Sequence, residues 1–274
     1  MGIRLLFWTF FVWSSCTAQS YWPVASQRGL GNAALARTGM EGMAANPAAI
    51  AGQDLPVVLL FAEDRFGVGA FRRTGLHAAT NWLDGGFGLM IGRYGNREYR
   101  ELSLLLIYAR TLSEGFSAGI SAGFQQTYLP DHAGHFGLQA AAGFRWEWSD
   151  ELVLAGALHN PFRIERSDWD RLPTRLGLGL GYLPHPQFTL LTEVEKGLDE
   201  PLTFRLGMEY RLHPTLIARL GVRPDPPMYT FGAGVRLFTT LRLDLAVQVI
   251  PLLPLSPSLG LSWRPRGKDS SAEE

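Results

Sequence analysis

The sequence of 274 residues is poor in cysteine, with Cys16 alone, and has no excess of charge of either sign. One cysteine cannot close a disulfide within the chain, so a disulfide-stapled fold is excluded. Lys and Arg number 25, as do Asp and Glu, so nothing in the charge indicates nucleic acid as a partner. No apolar run approaches the roughly 18 residues that a membrane-spanning helix needs, which excludes such a helix.

The first 19 residues have the features of a secretory signal peptide. Arg4 provides a positive charge, residues 5–13 an apolar core, and residues 16–18 a small-residue cleavage site. The residues before Cys16 also weakly resemble a lipoprotein cleavage box, and an acyl anchor would need that cysteine at the mature terminus. We predict residues 1–19 to be a signal peptide, and the protein to leave the cytoplasm.

Alternation of apolar and small or polar residues fills most of the chain from residue 56 onward. In residues 174–183, leucines and a tyrosine occupy every second position, with three glycines and an arginine between them. A period of two is that of an extended strand, because successive side chains point to opposite faces. About fourteen strands are predicted, near 56–63, 75–82, 85–93, 98–110, 116–124, 136–148, 150–158, 174–183, 187–196, 202–212, 216–223, 229–237, 241–249 and 258–264.

Alternation alone fits either a soluble β-sandwich, with the apolar face buried, or a membrane barrel, with that face in lipid. The segments run about nine to eleven residues, the length that crosses a bilayer at a tilt. Aromatic residues gather near segment ends, as in interfacial girdles, and the other face mixes Gly, Ser and Ala with charged residues. We therefore predict an all-β fold, a transmembrane antiparallel β-barrel over residues 56–265. Short and longer connections alternate as periplasmic and external turns do, and an even strand count places both termini and the tail 266–274 in the periplasm.

Residues 20–55 do not alternate and are rich in glycine and alanine. Gly29, Gly31 and Ala34 formally match a dinucleotide fingerprint, but the βαβ unit that it requires is missing, so this interpretation is rejected. The segment is predicted to form a short helix that ends in a loop at Asn46-Pro47.

This segment and several strands resemble a known family. The matching residues are Gly31, Ala33, Ala34, Leu35, Gly39 and the run 46–51, with further likeness in 107–124, 172–182 and 204–212. In that order they resemble the FadL-like outer-membrane barrels, above all the PorV/PorQ branch of Bacteroidota. The resemblance implies fourteen strands, with residues 20–55 tucked into the lumen as a hatch. The predicted hatch residues are Gly31, Ala34, Asn46, Pro47 and Ala48.

No motif indicates an enzyme, since a nucleophile elbow, a P-loop and an HExxH sequence are all missing. No cofactor and no metal site are predicted, because Asp131, His132 and His135 are too few to favour a metal over a solvated loop. Inward acids and arginines are expected to pair across strands. This predicted lumen charge network comprises Glu193, Glu195, Arg205, Glu209, Arg211, Arg219, Arg223, Arg236, Arg242 and Asp244. The longest connection, 159–173, is a possible partner loop with Arg163, Asp168, Trp169 and Asp170.

Two functions remain open for a barrel in the outer membrane of a Gram-negative bacterium. The resemblance favours a plugged accessory component of an envelope complex, such as type IX secretion, whose partners are outer-membrane lipid and other envelope or secretion proteins. The alternative is a FadL-like passive transporter of hydrophobic small molecules. A transporter needs an apolar pocket near the hatch, and the inward apolar residues Leu105, Ile107, Leu191 and Ile217 are few.

Overall fold

Fourteen antiparallel strands form a closed barrel, so the prediction of an all-β barrel with about fourteen strands is confirmed. The computed structural model describes residues 22–54, 56–130, 134–162, 165–167, 170–198 and 200–265. The predicted signal peptide, Cys16 and the predicted tail lie outside the described residues. Within the described ranges, no helix has both the length and the apolar character needed to span a membrane.

Each barrel strand pairs with the strands before and after it, and the first pairs with the last. Two further short strands, Glu165–Ser167 and Asp170–Arg171, instead form a small hairpin of their own between the seventh and eighth strands of the barrel, which the alternation did not predict. The strands are β1 Val57–Asp64, β2 Arg72–Trp82, β3 Gly85–Gly95, β4 Arg100–Ser113, β5 Phe116–Tyr128, β6 His135–Glu147, β7 Leu152–His159, β8 Glu165–Ser167, β9 Asp170–Arg171, β10 Arg175–His185, β11 Phe188–Gly197, β12 Leu202–His213, β13 Leu216–Arg223, β14 Met228–Phe238, β15 Leu241–Val249 and β16 Ser256–Trp263.

The period of two places leucines outside and small or charged residues inside. On β10, Leu176 and Leu178 are 52% and 56% exposed, whereas Gly177 lies against Leu35 of the N-terminal segment. Closing the sheet pairs the backbone groups of every barrel strand with a neighbour on each side. An apolar outer face can then lie in lipid without unpaired backbone groups.

The N-terminal segment, residues 22–54, lies inside the barrel and is buried along most of its length. It contains two four-residue helices, α1 Ala25–Arg28 and α2 Met40–Met43, and a 3-10 helix Pro47–Ile50. The prediction that one helix ends at Pro47 is therefore wrong. Proline favours the first turn of a helix, because its fixed φ fits there and its missing N–H group is not needed.

The core of the molecule lies between this segment and the inner wall. Trp22, Met43 and Ile50 pack with Met90 and Ile107 in one apolar cluster. A second cluster joins residues near Leu30 and Leu35 to β7 and β11.

Small residues on the inner wall make this packing possible. A Cβ atom added to Gly119 would lie 2.6 Å from the backbone nitrogen of Ala48, and one added to Gly177 would lie 2.7 Å from Leu35 Cδ1. The glycines that alternate with leucines therefore make room for the N-terminal segment.

Candidate functional site

Residues 35–45, here called the partition, border two spaces in the barrel lumen. Their side toward the long connections borders a cavity of about 60 Å³, the lumenal cavity, lined by Trp22, Leu35, Met43, Leu105 and Ile107 among others. Their other side borders a space of about 540 Å³ at the end with the short turns, the vestibule, lined by residues 36–41 and the surrounding wall. The partition therefore separates two spaces within one lumen.

Hydrogen bonds from the wall fix both ends of the partition. Glu193 Oε2 accepts from the backbone nitrogens of Ala34 and Leu35 at 3.0 and 3.2 Å. His159 Nε2 donates to the Ala45 carbonyl at 2.9 Å. These contacts satisfy backbone groups that have no partner within a regular helix, which anchors an irregular segment inside the barrel.

Asn46, which directly follows the partition, forms hydrogen bonds with both the oxygen and the nitrogen of its side-chain amide. Its Oδ1 accepts from Ala48 N at 3.0 Å, which caps the 3-10 helix. Its Nδ2 donates to Leu35 O at 3.0 Å and to Phe144 O on β6 at 2.9 Å. One residue thus joins two parts of the N-terminal segment to the barrel wall.

The structure buries all five predicted hatch residues inside the lumen. Gly31 N donates to Thr230 Oγ1 at 2.9 Å, and the φ of Gly31 is +65°, a left-handed value that suits glycine. Ala34, Pro47 and Ala48 are buried against the wall.

The structure brings seven of the ten predicted lumen charges into ion pairs. Arg205 binds Glu193, and it binds Glu195 at 2.8 Å. Arg219 binds Glu209 at 2.6 Å and Asp244 at 2.8 Å. Most of these side chains are less than a tenth exposed, so each charge needs its partner. The seventh residue of the set, Arg242, lies 2.9 Å from Asp244.

The N-terminal segment adds charges that the strand pattern did not predict, among them Arg28, which binds Glu63 of β1 at 2.7 Å. Arg37 binds Glu209 at 3.0 Å and also pairs with Glu41, and Glu41 in turn binds Arg242. Burial lowers the pKa of Arg37, and the carboxylate of Glu209 opposes that shift. The signal in the sequence was the few charged residues of a segment otherwise rich in alanine and glycine, because a charge inside a lumen needs a partner on the wall.

Three predicted network members form no ion pair among the described residues. Arg223 Nε donates to the Pro226 carbonyl at 2.9 Å, and Arg211 and Arg236 are exposed in the vestibule. These three residues lie near strand ends, where water solvates the guanidinium group and no buried acid is needed.

The vestibule carries a net positive charge, because six arginines and only three acids line it: Arg37, Arg145, Arg211, Arg236, Arg242, Arg264, Glu41, Glu209 and Asp244.

The predicted partner loop is only partly described. Arg163, Asp168 and Trp169 lie outside the described residues, and Asp170 is described in its backbone alone, as part of β9. Among the residues with described side chains, no group of three or more His, Cys, Asp or Glu could hold a metal ion.

Solved structures share this fold at low sequence identity. No protein-family model and no curated protein matches the chain. The CymD monoaromatic hydrocarbon channel has 13% identity and a TM-score of 0.68, over 89% of this chain and 98% of that one. The Ralstonia pickettii toluene transporter TbuX has 11% identity and a TM-score of 0.67 over the same shares. A Pseudomonas aeruginosa FadL homologue has 14% identity and a TM-score of 0.61, over 88% and 98%.

These similarities confirm the FadL-like outer-membrane barrel fold, the coarser part of the predicted resemblance. They do not show the PorV/PorQ branch. The similar structures are those of channels and transporters.

Proposed function

We propose that this chain is an outer-membrane barrel that lets small hydrophobic molecules cross the membrane passively. The observation that carries the proposal is the lumenal cavity, which has an apolar side beside the partition. Met43, Met90, Leu105 and Ile107 line that side. A concave, partly apolar space with a few polar groups is the usual form of a small-molecule site.

The similar solved structures support the transporter over the accessory component that the sequence favoured. Their names describe a hydrocarbon channel and a toluene transporter. The accessory role in an envelope complex, including type IX secretion, stays a prediction from sequence resemblance. We also propose that the short-turn end and both termini face the periplasm, so that the vestibule opens there.

The partition makes this function a gated one. The lumenal cavity, at about 60 Å³, holds no more than a few water molecules. Residues 35–45 lie between it and the vestibule, so a solute reaches the vestibule only when part of the partition moves. Passage through such a barrel is saturable and slow compared with an open pore.

The test compares two neighbouring leucines on β4. Leu105 lines the lumenal cavity, whereas Leu106 is 46% exposed on the outer face. The Leu105→Trp variant should fill the cavity and abolish saturable uptake of radiolabelled toluene by cells that produce the protein. The Leu106→Trp variant places the same side chain in lipid and should keep uptake unchanged.

Two results would contradict the proposal. One is that cells with either tryptophan variant take up toluene no faster than cells without the protein. The other is isolation of the intact barrel within a larger envelope complex together with no saturable uptake, which would favour the accessory role.

A further inference from the structure

Three arginines of the vestibule form no ion pair among the described residues. Arg211, Arg236 and Arg264 line this space, and all three are exposed. Arg145, another lining arginine, binds Glu147. The acids of the lining are already engaged, since each pairs with two of three other arginines: Glu41, Glu209 and Asp244 pair with Arg37, Arg219 and Arg242. Three positive charges of the vestibule are therefore in excess.

Two of these excess charges lie close together on one part of the wall. Arg236 of β14 lies directly opposite Arg242 of β15, and like charges at opposed positions destabilise a sheet. Arg264 follows β16 and lies next to them, because its backbone nitrogen donates at 2.8 Å to the carbonyl of Thr240, two residues before Arg242. All three arginines line the vestibule. A negative charge placed between them would lower their mutual repulsion.

The guanidinium group favours an oxyanion as the source of that negative charge. Its N–H groups form a planar fork that donates two parallel hydrogen bonds to a carboxylate or a phosphate. Because Arg236 and Arg264 are exposed to water, each contributes little binding free energy alone. A ligand with two or more charges binds several arginines at once. The ligand class that matches the excess is therefore a small oxyanion that carries two or more negative charges.

The position of these arginines limits the source of the anion. Arg236 faces the lumen, and its neighbour Leu237 is 46% exposed on the outer face. A lipid headgroup stays outside the barrel and does not reach the lumen face. The vestibule, at about 540 Å³, has the size of a small-molecule site and excludes a folded protein. The 274 residues carry no net charge, so only a local group of arginines attracts an anion.

We propose that the vestibule binds a soluble oxyanion with two or more negative charges through Arg236, Arg242 and Arg264. Arg211 on β12, two strands from Arg236, adds to the positive potential. The inference goes beyond the proposed function, because a hydrocarbon carries no charge for an arginine to bind. It does not involve the lumenal cavity, so the two proposals can fail separately.

Titration calorimetry of the full barrel in nonionic detergent tests the inference, at pH 7 and low salt, with empty micelles subtracted. The probes are pyrophosphate, inorganic phosphate and acetate. Pyrophosphate should bind saturably and about tenfold more tightly than phosphate, because it presents more charge to the same arginines, and acetate should bind the most weakly. Added sodium chloride should weaken pyrophosphate binding, because salt screens exposed charges.

Matched substitutions test which arginines form the site. Arg236→Gln and Arg264→Gln each remove one charge, and each should weaken pyrophosphate binding about fivefold, the effect of one exposed charge pair. Arg97→Gln removes the same charge from the exposed connection between β3 and β4, at the opposite end of the barrel, and should leave the affinity unchanged. Heat-modifiable mobility on gels checks that the variants fold.

Three results would overturn the inference. One is no saturable binding of pyrophosphate at low salt. The second is equal weakening by Arg97→Gln and Arg236→Gln, which would mean that binding follows the net charge of the chain. The third is displacement of pyrophosphate by phosphatidylglycerol added to the micelles, which would make a lipid headgroup the ligand. None of these results bears on toluene uptake, so the proposed function stands or fails by its own test.

Discussion

Arg219 and Glu209 lie directly opposite each other on β13 and β12, and Arg219 Nε donates to Glu209 Oε2 at 2.6 Å. The Arg219 side chain is completely buried. Its other contact, from Nη1 to Asp244 Oδ1 at 2.8 Å, reaches β15, two strands away. One cation therefore joins three strands of the inner wall.

Replacing this arginine should destabilise the barrel. Arg219→Leu leaves Glu209 and Asp244 with one arginine fewer, and breaking a buried ion pair costs about 3 kcal/mol. Urea unfolding in phospholipid vesicles measures the change. Arg211→Leu is the control, because Arg211 is exposed and should shift the unfolding free energy little. Equal losses in the two variants would argue against a structural role for the buried pairs.

Neighbouring positions on β12 should respond in different ways to the same substitution. Leu206 faces outward, and Leu206→Arg should cost about 2–4 kcal/mol of stability because it places a charge in lipid. Gly207 faces the lumen, where an added Cβ would lie 2.7 Å from the Leu30 carbonyl oxygen. Gly207→Arg should therefore displace the N-terminal segment and raise the conductance in planar bilayers. Raised conductance in the Leu206 variant instead would contradict the face assignment.

Asn46 offers a graded test of the partition. Asn46→Ala removes three hydrogen bonds and should loosen residues 35–48 by about 2–3 kcal/mol. Asn46→Asp keeps the acceptor for Ala48 but turns a carboxylate toward the carbonyls of Leu35 and Phe144, so it should loosen them further. Single-channel recordings should show more frequent openings in the order wild type, Ala, Asp. The reverse order for the two variants would mean that Asn46 acts only as a helix cap.

Removing the N-terminal segment should open the lumen. Deletion of residues 29–52 takes away the partition and both sides of its packing, so conductance should rise sharply above the very low value expected of the intact barrel. Circular dichroism and heat-modifiable mobility check that the remaining chain still forms a barrel. A conductance equal to that of the intact protein would show that another part of the chain closes the lumen.

The strand pattern could be derived from the sequence because it follows from local geometry. Leu176 and Leu178 alternate with glycines, and a period of two separates two faces wherever the strand lies. Aromatic residues at segment ends then indicated lipid on the apolar side. The hairpin of β8 and β9 could not be derived in this way, because strands of two or three residues are too short to show a period.

The partners within the lumen could not be derived from alternation either. Arg219 and Arg236 both alternate with apolar residues, yet one is fully buried between two acids and the other is exposed in the vestibule. The two residues differ in how far along the barrel axis they lie from its open end. That position depends on how far each strand is staggered against the next.

The sequence by itself determined which side of each strand meets lipid and which side is left small, since side-chain alternation is a property of the extended chain. Only the tertiary structure decided what fills the lumen. Glu193 accepts from Ala34 and Leu35, although 159 and 158 positions separate it from them along the chain. Such contacts exist because closing the barrel brings distant strands around one short segment, and no local pattern encodes that distance.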